Sequence, residues 1–312
     1  ERKHHSMCMT ITGRKDNDLC RVLKENGVAF QLSVTPASAL RRAKPGSAVL
    51  VLADGYPEKP TRLASRFFEE AKRKGIRLYV EFPGSLPGVR GPQIRAITCE
   101  RAVVASPVFA PALKKRRILM VHGCRFVEAT AARPHIVMAR VAGFDTAVYG
   151  IPENASPILF ETSGWPMLIA TTKLSQFITA RYAPTEAWQA IWLWILRWLC
   201  PGLWIDTLRW IPDVRPAYAA RERLPADAER RATEHGMAWF QNARLFIHRS
   251  WEKEARRRLD RSRDGTTVGP DPDWVVGDGS LGMLEGLSSG IRASGKQEYR
   301  YWLRNDCMGE AA

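Results

Sequence analysis

Between residues 18 and 171 the apolar positions switch repeatedly between helical and strand-like spacing, as in α/β architecture. Residues 19–26 read as a helix closed by Gly27, 29–34 as a strand and 37–43 as a short helix. The continuous apolar run over 47–53, Ser-Ala-Val-Leu-Val-Leu-Ala, suits a parallel strand buried on both faces. After the turn Asp54-Gly55-Tyr56-Pro57, the segment 61–74 brings Leu63, Phe67, Phe68 and Ala71 to one helical face, and Gly75 supplies the residue beyond its end. A strand over 76–80 completes a β-α-β unit whose crossover requires parallel strands. Further strands are predicted at 102–105, 117–122, 136–141, 146–149, 158–161 and 167–171, and residues 1–17 read as an N-terminal tail.

Thr185 and Glu186 open a helix in which Trp188, Ile191, Trp192, Ile195, Trp198 and Leu199 recur at helical spacing. Leu193, Trp194 and Leu196 make its other side apolar too, so it belongs inside protein, either within its own domain or against a partner copy. Pro201-Gly202 ends it, and a Pro-punctuated connector over 203–216 places a domain boundary near Pro216. Beyond that point the alternation stops. One long helix is predicted over 226–247, a charged one over 251–263, a polar loop over 264–280, and a helical hairpin from 281–291 and 297–311. The expected organisation is an α/β domain over 18–215, with a mostly parallel sheet and flanking helices, followed by an all-α partial domain over 216–312.

The chain of 312 residues, 45% hydrophobic and 25% charged, has the balance of an ordinary globular protein rather than a disordered one. Its formal charge of +15 attracts anionic partners, among them nucleic acid, anionic lipid and acidic polysaccharide. The basic clusters Lys114-Lys115-Arg116-Arg117 and Arg256-Arg257-Arg258 come without an aromatic stacking platform or a nucleic-acid motif, so they read as solvated surface and no nucleic acid is expected. Cysteines at 8, 20, 99, 124, 200 and 307 form no CxxC pair, which argues against a zinc ribbon or a disulfide scaffold. No Walker or dinucleotide fingerprint occurs, and no cofactor is expected. The most apolar segment, 188–199, falls short of the roughly 20 residues a membrane span needs. The chain begins Glu1-Arg2-Lys3, and its compartment is not legible from it.

Two stretches, Leu50-Val51-Leu52-Ala53-Asp54-Gly55-Tyr56 and Gly75-Ile76-Arg77-Leu78-Tyr79-Val80-Glu81-Phe82-Pro83-Gly84, resemble class I glutamine amidotransferase-like domains, a flavodoxin-like fold, over about 18–199. In that family the first strand leads to an oxyanion turn and the second ends at an elbow carrying the catalytic Cys. Here the elbow reads Glu81-Phe82-Pro83-Gly84, so the resemblance implies a scaffold without glutaminase activity. Glu81 is then either a structural relic or a lining residue of a ligand cleft at the carboxyl ends of the strands. Cys124 and His122, two apart after a strand, are an alternative hydrolase dyad if the strand stays extended. Thr171-Thr172-Lys173-Leu174-Ser175 offers hydroxyls and amides that either cap a helix or hold an anion at its start.

Cofactor-free versions of this fold accompany carbohydrate-active enzymes, which directs attention to the second domain. Its runs 278–286, Asp-Gly-Ser-Leu-Gly-Met-Leu-Glu-Gly, and 297–310 resemble the opening hairpins of six-hairpin (α/α) toroid glycosidases, although an incomplete set. That resemblance implies acid/base carboxylates, with Asp278 and Glu285 as candidates, and a sugar site lined by Trp274, Trp302, Arg304, Asp306 and Glu310. The expected protein is thus carbohydrate-related, with an assembly or binding module, including a homo-oligomer, as the competing reading.

Overall fold

The computed structural model describes residues 8–85, 93–218, 222–262, 264–304, 306 and 309. The chain divides into two compact units, Glu1–Val214 and Arg215–Ala312.

The first unit contains, in order, β1 (Met9–Thr12), α1 (Asp18–Glu25), β2 (Gln31–Ser33), α2 (Pro36–Arg42), β3 (Ala48–Val51), α3 (Ser65–Arg73), β4 (Arg77–Glu81), β5 (Ile94–Ala96), β6 (Arg101–Val104), β7 (Ile118–Val121), β8 (Arg125–Val127), β9 (Pro134–Ala139), β10 (Ser156–Glu161), β11 (Met167–Ala170), β12 (Tyr182–Ala183) and α4 (Thr185–Leu199). Ten of the strands form one sheet in the order β12-β7-β6-β9-β10-β11-β4-β3-β1-β2. The block β11-β4-β3-β1-β2 is parallel throughout, joined in register from Met167↔Leu78 to Thr10↔Gln31. Its order is that of a flavodoxin-like doubly wound sheet. The helices obey the same winding: α1 packs on one face through Leu19, Val22 and Leu23, while α2 and α3 cover the other through Leu40, Phe67, Phe68 and Ala71.

The block from β12 to β10 is antiparallel and extends the same sheet. The strands over 102–105, 117–122, 136–141 and 158–161 therefore exist but pair antiparallel with their neighbours. Short connections decide this: the turn over 162–166 between β10 and β11 cannot make a crossover. Two expectations fail. Residues 1–17 are not simply a tail, because Met9–Thr12 forms β1 between β2 and β3, fully inside the sheet. The segment 146–149 is not a strand; Thr146 makes a single bridge to Arg117, and Gly143 and Gly150 turn the chain with φ of 119° and 88°.

Helix α4 matches its expected span, and its Trp residues are used internally. Trp188 and Trp192 are fully buried in the core with Ile191, Ile195 and Leu199, and Arg77 donates from Nε to the Trp198 carbonyl at 2.6 Å. The side of α4 that carries Trp188 and Trp192 thus packs on its own sheet, the first of the two expected placements. No helix among the described residues is long and apolar enough to cross a membrane.

The second unit is not all-α. It holds α5 (Ala228–Asn242), α6 (Glu252–Arg261) and a three-stranded antiparallel sheet of β13 (Thr266–Thr267), β15 (Gln297–Arg300) and β14 (Gly286–Ile291) in that order. In place of the helical hairpin expected from 281–291 and 297–311, residues 286–300 form a β-hairpin. Gly282 and Gly286 sit at φ of 85° and 126°, which a helix cannot accommodate, and Gly295 at 83° closes a turn in which Arg292 N donates to the Lys296 carbonyl. The opening hairpins of a helical toroid are accordingly absent from the described residues. The long helix over 226–247 also stops early: Arg244, with φ of 55°, turns the chain, and Leu245 and Ile247 enter the core in extended form with Trp251, Met283, Leu284 and Tyr301. Gly277 packs so closely that an added Cβ would lie 2.2 Å from the Ile247 carbonyl oxygen.

Candidate functional site

Loops at the carboxyl ends of β3, β4 and β11 converge where a doubly wound sheet usually binds its ligand. On β4, Tyr79 and Glu81 lie two residues apart and so share one face. Glu81 is fully buried. Its Oε1 accepts from the Tyr79 hydroxyl at 2.9 Å and the Leu174 amide at 3.1 Å; its Oε2 accepts from the Ala53 amide at 3.2 Å and the Ser175 hydroxyl at 2.8 Å. Asn17 Nδ2 in turn donates to Ser175 Oγ at 3.0 Å, and Trp192 Nε1 donates to the Leu174 carbonyl at 3.1 Å, tying the cage to α1 and α4. Burial pushes the Glu81 carboxyl above the ordinary carboxylate value, opposed by the charge of Lys173 and by these donors.

The anion that residues 171–175 hold is therefore the chain's own carboxylate, and no helix starts there. Glu81 lines no open cleft; of its two expected roles, the structural one is what its contacts describe.

The bend after β4 is tight and apolar. Phe82 has φ of 44°, a left-handed conformation that costs a non-glycine residue on the order of 1–3 kcal/mol. Its amide donates to the Ala170 carbonyl at 2.7 Å and its carbonyl accepts from Thr61 N at 2.7 Å, which holds the turn closed. The side chain is fully buried and meets the Tyr56 ring edge-on at 5.0 Å. A hydrocarbon ring thus fills the point of the bend.

Beside it, Tyr56 Oη accepts from Arg125 N at 2.8 Å and from Arg181 Nη2 at 3.2 Å. Arg181 is fully buried, donates from Nε to the His122 carbonyl at 2.8 Å, and lies 5.5 Å from the Tyr56 ring and 5.6 Å from that of Tyr182. Its Nη1 has no partner among the described residues.

Cys124 belongs to this cluster and not to a dyad. Strand β7 ends at Val121, and Gly123 at φ of 60° turns the chain, so His122 and Cys124 do not share an extended face. The Cys124 thiol donates to Thr172 Oγ1 at 3.1 Å, and burial pushes it up to about 11. A thiol held protonated is a poor nucleophile. In the native chain Cys124 should react with iodoacetamide at pH 7.5 far more slowly than exposed Cys99; peptide mapping that finds Cys124 modified as fast as Cys99 would refute the packed-thiol assignment.

No family model and no curated protein matches this chain. Among solved structures it is similar to a Thermoplasma acidophilum protein assigned as one of the subunits of GMP synthase, at 10% identity and a TM-score of 0.33, over 64% of this chain and 96% of that one. Strand order and register define the fold independently of that similarity.

In the second unit the candidate sugar-site residues among the described ones are each engaged locally. Exposed Asp278 accepts from Ser280 N at 2.9 Å and Ser280 Oγ at 2.6 Å, which holds its carboxyl below the usual range. Glu285 pairs with Arg300 at 3.0 Å and Arg304 at 3.6 Å, and Arg304 Nε also donates to Asp306 at 3.0 Å. Trp274 stacks on Trp251 at 5.2 Å under the Arg258 guanidinium, 4.9 Å from its ring centroid. Trp302 donates from Nε1 to the Asp264 carbonyl at 2.8 Å and stays 46% exposed. Glu310 lies outside the described residues. No group of His, Cys, Asp and Glu among the described residues is arranged to hold a metal ion.

Proposed function

We propose that the first unit is a catalytically silent amidotransferase-like module of a carbohydrate-related protein, which holds a ligand or a neighbouring domain and transfers no acyl group. The observation that carries this reading is the elbow: a buried phenyl ring occupies the bend, and the adjacent carboxylate spends both oxygens on four internal donors. Acyl transfer needs a nucleophile that a substrate carbonyl can reach, and neither Phe82 nor Glu81 supplies one.

The carbohydrate side rests on the half-exposed indole of Trp302, a flat apolar face on which a pyranose can stack; the resemblance of 278–286 and 297–310 to toroid glycosidases lends it nothing, because 286–300 forms a β-hairpin. It extends to binding and not to hydrolysis. Glycoside hydrolysis needs two carboxylates facing one cleft, whereas Asp278 is turned onto Ser280 and Glu285 is neutralised by Arg300 and Arg304.

Incubating the full chain with glutamine and following glutamate release tests the silent elbow. No release above buffer is expected. Turnover that survives repurification, or that disappears on blocking cysteines, contradicts it.

A further inference from the structure

Away from the elbow, the first unit carries a cavity of about 930 Å³ between α3, the loop before β9 and the turn from β10 to β11. That volume lies within the range of small-molecule sites. Phe68 and Trp165 contribute aromatic surface to its lining, and His135, Glu161, Lys72 and Arg133 contribute polar groups.

The aromatic and acidic parts are fixed in place. Trp165 is anchored by donation from Nε1 to the Ile76 carbonyl at 3.0 Å. His135 is only 6% exposed and sits between Ser106 Oγ, 3.0 Å from Nδ1, and Glu161 Oε1, 3.1 Å from Nε2. Burial pushes the His135 pKa below its ordinary value, and the ring bridges Ser106 and Glu161. This braces one oxygen of Glu161, whose side chain is 41% exposed and whose Oε2 is engaged by no described residue.

The cations are available. Lys72 and Arg133 are exposed and make no ion pair among the described residues.

We infer that this cavity binds a uronic acid unit of an acidic saccharide. The sugar carboxylate meets Lys72 and Arg133, the C–H face of the pyranose lies on Trp165, and ring hydroxyls donate to the Glu161 oxygen that His135 leaves open. A neutral hexose leaves the two cations unused. Glu69 and Glu161 share the lining with the two cations, so a doubly charged phosphate ester meets more repulsion there than a singly charged uronate does. This inference rests on the carbohydrate-related reading of the module and names its ligand; it does not depend on the silent elbow, whose failure would appear as glutamine turnover.

Isothermal titration of the full chain with D-glucuronate, D-glucose and glucose 6-phosphate tests it. Saturable glucuronate binding is expected, about tenfold or more tighter than glucose for one charge-assisted contact. Lys72→Ala with Arg133→Ala should bring glucuronate down to the glucose level. Glu161→Gln should weaken both sugars. Both cations are exposed, so these variants should keep the wild-type melting curve, and each single variant provides a check should the double fail to fold. Absence of saturable glucuronate binding, equal affinity for glucose, tighter binding of the phosphate, or binding untouched by loss of the cations would each overturn the assignment.

Discussion

Glu81→Gln should destabilise the first unit by about 3 kcal/mol, because a buried donor that loses its acceptor costs about 1–3 kcal/mol and the new amide opposes it with a further donor. For a unit of this size the corresponding fall in melting temperature is about 6–12 °C, measured by calorimetry. The reason is geometric. Each oxygen of Glu81 faces one backbone amide, Leu174 N on Oε1 and Ala53 N on Oε2, and neither amide can rotate away. A glutamine nitrogen at either position is left donor to donor. A protonated Glu81 avoids the conflict, since its hydroxyl still accepts from the amide while donating to the Tyr79 or Ser175 hydroxyl.

The pH dependence follows from the raised carboxyl. Above the ordinary value of 4.5 the unfolded chain ionises Glu81 before the folded one does, so this group's contribution to stability is full below 4.5 and is lost as pH rises through the folded value. The wild type should therefore exceed the non-titrating Gln variant by most at low pH and by less as pH rises. A constant or widening gap would mean that burial does not dominate at Glu81.

Trp192→Ala should be the other severe change, costing about 3–5 kcal/mol through the lost packing of a fully buried indole. Trp192 contacts Tyr79 at 5.7 Å and Phe177 at 5.5 Å between ring centroids, so the hole opens behind the strand that carries Glu81. Trp192→Phe separates the two contributions. It keeps most of the packing and removes the hydrogen bond to the Leu174 carbonyl, for about 1–3 kcal/mol. Chemical denaturation that ranks Phe equal to Ala would place the effect in the hydrogen bond alone. A Trp192→Ala protein as stable as wild type would show that α4 is not part of the core.

The parts of this fold that long apolar runs specify were legible in the sequence. β3, β4 and α4 carry continuous or helically spaced apolar residues, and each lies within a residue or two of its expected span. β1 escaped because it is four residues long with threonine at alternate positions, and only its neighbours β2 and β3 make it a strand. Strand direction beyond β11 is a matter of connection length rather than residue type, so the antiparallel half read as more of the same. In the second unit, leucine and isoleucine spacing over 281–291 imitated a helix, and the glycines at 282 and 286 were the contrary signal.

That Glu81-Phe82-Pro83-Gly84 holds no cysteine was visible, but not which contacts fill the bend. The donors to Glu81 come from Ala53, 28 residues away, and from Leu174 and Ser175, 93 and 94 residues away. No local pattern announces such partners. Tyr79 alone could have been anticipated, from its place two residues before Glu81 on one strand. Arg181, paired with carbonyls and a phenol rather than a carboxylate, gave no sequence signal at all.

Amide hydrogen exchange at Ala53 and Leu174 tests the closed elbow most directly, since both amides lie outside regular strands and helices and donate to Glu81. Exchange as slow as that of core amides in β3 and β4, and accelerated at both positions together by Glu81→Gln, is the expected result. Exchange at the rate of an open loop would mean that the carboxylate is free and the carboxyl end of the sheet is not sealed.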